Sequence, residues 1–257
     1  MTAALPNRIP NDSARYLSGD PRQRLIVALD VSTAAAAQKI VAAVGDSALT
    51  YKVGMQLYTA VGPQVVRDLV VSGRRVFLDL KYHDIPNTVG AAVAEAEKLG
   101  VSMLTVHAAG SGRMLRLAVE AAKVRPDLTV LAVTVLTSMD QDDIAEMGYT
   151  GHTVEQLVLF RARKALEAGC DGVIASGLEV KKIKELTQSK LLVVTPGIRE
   201  DDAPVDDQKR RTTARNAISE GADYLVVGRP ITAVPDPRAG AEQVLQSMQS
   251  AFDAVLV

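Results

Sequence analysis

The sequence predicts an α/β fold, a single-domain (β/α)8 barrel of the TIM type, on three observations. From Arg24 onward, short β-branched runs alternate with longer Ala-rich amphipathic runs, the pattern of βαβ units around a parallel sheet. The apolar runs number eight, and the 257 residues are close to the usual length of one α/β barrel. The turn after the first run, Leu29-Asp30-Val31-Ser32, lacks the glycines that a dinucleotide-binding open sheet places there.

In chain order, strands are expected at Leu25–Leu29, Leu49–Val53, Val76–Leu80, Met103–Val106, Leu128–Val135, Gly172–Ala175, Leu191–Thr195 and Tyr224–Val227. Helices are expected at Ala34–Val44, Gln64–Val71, Asn87–Leu99, Arg113–Lys123, Val154–Ala168, Val180–Gln188 and Thr213–Ser219. Gly45, Gly73, Gly100, Gly169 and Gly221 follow most of these runs, as glycines that end helices do. Residues 1–22, with Pro6, Pro10, Gly19 and Pro21 among scattered charges, form a polar lead without the apolar stretch of a secretory signal. Residues 23–257 form the barrel domain.

Composition narrows the partners. There are 29 basic and 30 acidic side chains, a net charge of -1, so no basic field favours nucleic acid and no polybasic anchor favours a membrane. Charges or glycines interrupt every apolar segment well short of a bilayer span, and a cytoplasmic location is expected. The lone Cys170 lies in an apolar context with no base beside it and is expected to be a buried thiol. No HExxH, CxxC or Walker-type loop is present, so neither a bound metal nor nucleotide hydrolysis is supported.

Polar residues recur at one place in the pattern. Asp30, Lys52, Asp79, Lys81, Asp84, His107, Thr137, Arg199 and Arg229 all fall at or just beyond the carboxyl ends of expected strands, where barrel active sites are built. The densest group is Phe77-Leu-Asp-Leu-Lys-Tyr-His-Asp-Ile-Pro-Asn-Thr88. Strand alternation turns Asp79 and Lys81 to the same side, and Lys52 on the preceding strand adds a second cation. On the residues alone, this is a preorganised charge network or an ion-pair cluster closing the barrel top. Likewise Val227-Gly228-Arg229-Pro230 is a plain turn or a phosphate site with backbone N–H groups and a forked cation. His83 is expected to serve in structural hydrogen bonding; His107 has no second ligand at metal spacing, and His152 falls in a loop.

Asp79-Leu-Lys-Tyr-His-Asp84-Ile-Pro-Asn-Thr88 resembles the signature of orotidine 5′-phosphate decarboxylases. The resemblance continues through Ala28-Leu-Asp30, Tyr51-Lys52-Val-Gly, Val135-Leu-Thr137-Ser-Met, Thr195-Pro-Gly-Ile-Arg199, Asp207-Gln208 and Val227-Gly228-Arg229-Pro-Ile-Thr232. It implies a cofactor-independent homodimer that acts on a small-molecule nucleotide, with no metal. Asp30 and Lys52 would hold the ribose hydroxyls, and Lys52, Asp79, Lys81 and Asp84 would form the catalytic charge array. Asp84, Ile85 and Thr88 would come from the partner subunit. Thr137 would lie against the pyrimidine, Gln208 across base and phosphate, and Arg229 with the Gly228 backbone on the phosphate; Pro196 and Arg199 would line the same loops. Lys81 would protonate C6 as CO2 departs. Arg211-Thr-Thr-Ala214 departs from the Thr-Pro helix start expected of the family. A metal-dependent sugar-phosphate decarboxylase or epimerase barrel is the nearest alternative. A catalytically silent barrel would be marked by loss of Lys81 or Asp79, and both are present.

Overall fold

The computed structural model of the chain describes residues 19–124, 127–199 and 209–255. Eight parallel strands close into one barrel in sequence order, β1 pairing with both β2 and β8. They are β1 (Leu25–Ala28), β2 (Thr50–Gly54), β3 (Arg75–Tyr82), β4 (Met103–His107), β5 (Thr129–Val133), β6 (Gly172–Ile174), β7 (Leu192–Thr195) and β8 (Tyr224–Val227). Every expected strand is present. β3 runs two residues past its expected end at Leu80, and β5 is shorter than the apolar run Leu128–Val135 because Thr134 and Val135 already turn toward the next loop.

The helices are α1 (Ala34–Val44), α2 (Met55–Val61), α3 (Gln64–Val71), α4 (Pro86–Glu97), α5 (Gly112–Ala122), α6 (Gln141–Glu146), α7 (Val154–Ala168), α8 (Val180–Thr187), α9 (Ala214–Ser219), α10 (Arg229–Thr232) and α11 (Pro237–Val255). Local chemistry starts most of them. The hydroxyls of Thr33 and Ser111 accept N–H bonds from Ala36 and Met114 at the starts of α1 and α5, and reciprocal capping boxes open α6 (Asp140, Asp143) and α7 (Thr153, Gln156). Thr213 caps α9 through Asn216 N–H, so that helix begins without the proline that the family pattern expects after the threonine. Gly169 ends α7 in the left-handed region at φ 84°, which a side chain would strain.

Two cores result. Inside the barrel, Ile26, Ala28, Phe77, Met103, Leu131, Leu192, Val194, Tyr224 and Val226 pack on one another. A larger shell lies between strands and helices. Gly172 makes the interior possible on one side, because a Cβ there would lie 2.6 Å from the Leu192 carbonyl oxygen and 2.9 Å from the Leu131 side chain. The filled interior leaves room for a site only at an end of the barrel. Cys170 is buried as expected, and burial pushes its thiol up to about 12. Among the described residues, no helix is long and apolar enough to cross a membrane.

Candidate active site

A cavity of about 590 Å³ opens at the carboxyl ends of the strands. Asp30, Lys52, Asp79, Lys81, Thr137, Pro196, Arg199, Gly228 and Arg229 all line it, so most of the residues singled out by position in the sequence converge on one space. Leu136, Ser138 and Thr232, which lie in the stretches that carry the resemblance but were given no role there, also line it, as does Met55, which falls outside them.

Its floor is a chain of alternating charges. Lys52 Nζ donates to Asp30 Oδ1 at 2.7 Å and lies 3.7 Å from Asp79 Oδ2. Lys81 Nζ lies 3.0 Å from both carboxylate oxygens of Asp79. The Lys52 side chain is only 10% exposed and that of Asp79 13%, whereas Asp30 is 55% exposed, so the array runs from solvent into the barrel. Attraction between such charges grows as water is excluded. Gly54 leaves space beside this array: a Cβ there would meet Lys52 Nζ at 2.9 Å.

Strand alternation alone does not account for the placement of Asp79 and Lys81, because the β3 ladder is irregular between them. β3 and β4 are in register at Leu78 and Leu104, then again only at Tyr82 and Val106. Asp79, Leu80 and Lys81 therefore arch opposite the single residue Thr105, and Lys81 adopts φ 52°. A left-handed backbone costs a lysine about 1–2 kcal/mol. The buried Thr105 hydroxyl accepts the Lys81 N–H at 2.9 Å and donates to Asp79 Oδ1 at 3.0 Å.

At the rim, Arg229 begins α10 directly after Gly228, next to Pro230. The segment around Pro196 is held where Arg199 N–H donates to the Thr212 carbonyl and Thr212 N–H donates to the Gly197 carbonyl. Arg210, which the sequence did not single out, is 8% exposed and clasps the neighbouring loops. Its guanidinium donates to Glu179 Oε1 at 2.6 Å and to the carbonyls of Val135, Leu136 and Met139 at 3.0–3.1 Å, while its N–H donates to the Thr137 carbonyl at 3.0 Å. Gln208 lies outside the described residues.

Three expected site residues are not brought to the pocket. Asp84, Ile85 and Thr88 are exposed at the start of α4, with Asp84 Oδ1 accepting the Ile85 N–H. His83 stacks on His107, ring centroids 5.4 Å apart. His107 Nδ1 accepts the Ala109 N–H, and burial, with lesser pushes from Arg161, His83, Lys81 and Lys164, lowers its pKa to about 4. Among the described residues, no group of three or more His, Cys, Asp or Glu side chains is placed to hold a metal ion.

A carboxyl-end pocket with a half-buried cation–carboxylate array and arginines at its rim defines a (β/α)8-barrel enzyme for a small anionic substrate. Residues 23–244 match the model of the family described as Orotidine 5′-phosphate decarboxylase / HUMPS family. The chain belongs to that family and is a decarboxylating lyase. It is 47% identical over 231 residues to the orotidine 5′-phosphate decarboxylase of Nitrobacter winogradskyi, covering 90% of this chain and 95% of that one. With the orotidine 5′-phosphate decarboxylase of Afipia carboxidovorans the figures are 48% over 226 residues, 88% and 94%. The crystal structure of the Lactobacillus acidophilus orotidine 5′-phosphate decarboxylase superposes with a TM-score of 0.78 at 37% identity, covering 88% of this chain and 99% of that chain. An uncharacterized conserved protein from Geobacillus kaustophilus does so at 0.75 and 33%, covering 87% and 99%.

Proposed function

We propose that this chain converts orotidine 5′-monophosphate to uridine 5′-monophosphate and CO2, the last step of de novo pyrimidine nucleotide synthesis, without a cofactor and in the cytoplasm. The observation that carries the mechanism is the Lys81 ammonium, held 3.0 Å from both oxygens of Asp79 at the pocket floor. When the C6–carboxylate bond breaks, its electron pair stays on C6 and CO2 leaves neutral. A cation beside C6 stabilises that carbanion character and supplies the proton that forms the new C6–H bond. Lys81 is left as a neutral amine that regains its proton from solvent. Asp79 keeps the ammonium aimed, and Lys52 offsets the carboxylate charge.

Asp30 and Lys52 face the ribose hydroxyls in this reading, Thr137 the pyrimidine, Gly228 and Arg229 the phosphate. Pro196 and Arg199 line the intervening loop, with Gln208 bridging base and phosphate. Asp84, Ile85 and Thr88 complete the site of a second copy. Their exposure away from their own chain's pocket supports that assignment. The metal-dependent alternative is not favoured by the curated relatives, both orotidine 5′-phosphate decarboxylases.

Loss of orotate-ring absorbance on mixing the purified protein with orotidine 5′-monophosphate tests the activity, with and without a chelator. Lys81→Ala should lose turnover by at least about 10²–10⁴-fold while still binding uridine 5′-monophosphate. Turnover by Lys81→Ala at the parent rate would remove Lys81 as proton donor, and activity that a chelator abolishes and a divalent ion restores would favour the metal-dependent alternative.

A further inference from the structure

We propose that Thr105 is the residue that positions the Asp79–Lys81 pair for proton transfer, resting on the reading of Lys81 as the proton donor. Three residues of β3, Asp79 to Lys81, face one residue of β4, so the regular ladder cannot satisfy the Lys81 N–H. The Thr105 hydroxyl accepts it at 2.9 Å. The same oxygen carries the hydrogen that goes to Asp79 Oδ1 at 3.0 Å. One hydroxyl therefore ties the backbone of the donor to the carboxylate that holds the donor's ammonium. Asp79 Oδ1 is fixed by Thr105 and Lys81 together, and Oδ2 is left to Lys81 and Lys52.

Thr105 suits this task in ways that a simple packing residue does not require. It is fully buried, so water does not compete for the hydroxyl. Its β-branch restricts rotation about χ1 and holds the oxygen toward β3. Its own strand is regular on the other side, where it pairs with Leu131 of β5, so the arch is anchored to an undistorted part of the barrel. Removing the hydroxyl leaves a buried N–H without its acceptor and frees Asp79 to turn about its Cβ–Cγ bond.

Thr105→Val keeps the branched shape and loses the oxygen; Thr105→Ser keeps the oxygen and loses a buried methyl. For Val, kcat should fall about ten- to hundredfold while KM and the Kd for uridine 5′-monophosphate stay within about threefold, because the lost interaction serves the transition state. For Ser, kcat should stay within about threefold of the parent even though the melting temperature drops, since the missing methyl is a packing loss. Activity should thus follow the oxygen and stability the methyl. A Thr105→Val enzyme with kcat within about twofold of the parent overturns the proposal, as does a Ser variant whose kcat falls as far as that of Val. If Lys81→Ala retains parent turnover, the catalytic reading fails first. The crystal structure of Thr105→Val then decides the positioning by itself: a Lys81 ammonium shifted off Asp79 supports it, and an unmoved pair overturns it.

Discussion

His107 closes β4 with its ring stacked on His83 and its Nδ1 accepting a backbone N–H, an arrangement that needs the neutral ring with its proton on Nε2. Burial, helped by the surrounding cations, lowers its pKa from 6.5 to about 4. Between those values the unfolded chain binds a proton that the folded chain does not, so stability rises with pH across that window and falls as pH drops from about 6.5 to about 4. His107→Gln should flatten this part of the pH–stability curve, measured by urea unfolding at pH steps through the window. Parallel curves for parent and variant would show that His107 does not carry the dependence. At Lys81 the ammonium is paired with Asp79 while the backbone is held at φ 52°, a strained position of the kind that gathers at functional sites.

Among the elements, the loops after β5 and β6 and the segment leading into α9 act as a unit because Arg210, which lies in that segment, bonds to both loops. The Arg210 side chain is 9% exposed and that of Glu179 5%, so removing only the cation leaves a buried carboxylate without its partner. Arg210→Met should destabilise the barrel by about 3–5 kcal/mol and raise KM, because Val135 and Leu136 lose the clasp that shapes the pocket wall. Replacing Glu179 by Leu in the same chain should recover much of the stability but not the KM. Denaturant midpoints and steady-state kinetics on the three proteins check this. Full recovery of KM in the double variant would make the pair a packing feature with no bearing on the pocket.

For the whole molecule, the proposed function requires a two-fold dimer in which each site takes Lys81 from one chain and Asp84 from the other, and the exposure of Asp84, Ile85 and Thr88 fits that proposal. Ile85 is 68% exposed in the single chain, a large apolar side chain that such an interface would cover. Mixing Lys81→Ala with Asp84→Ala under conditions of subunit exchange should restore activity. Random pairing of equal amounts makes half the dimers mixed and leaves half of their sites intact, about a quarter of parent activity. If Asp84 serves its own chain, no intact site forms, so a mixture that verifiably exchanges subunits and stays inactive rules out the shared site.

Hydrophobic periodicity is a local property, and it was enough to place all eight strands, the closed barrel and the charged residues at the strands' carboxyl ends. The C-terminal α11 was equally local, with Asp236 capping it and Pro237 at its first turn, although no strand pairing called attention to it. The short α2, α6 and α10 offered too few turns for a helical period to stand out. What the sequence alone determined was therefore the architecture and, through motif resemblance, the family and the identity of the charged array. Only the tertiary structure decided the three-against-one arch that makes Thr105 a partner of Asp79 and Lys81, and the clasp of Arg210 on carbonyls up to 75 positions away. Both depend on register and loop packing between segments far apart in the chain, and no local pattern encodes which hydroxyl or carbonyl will stand opposite a given side chain once the barrel closes.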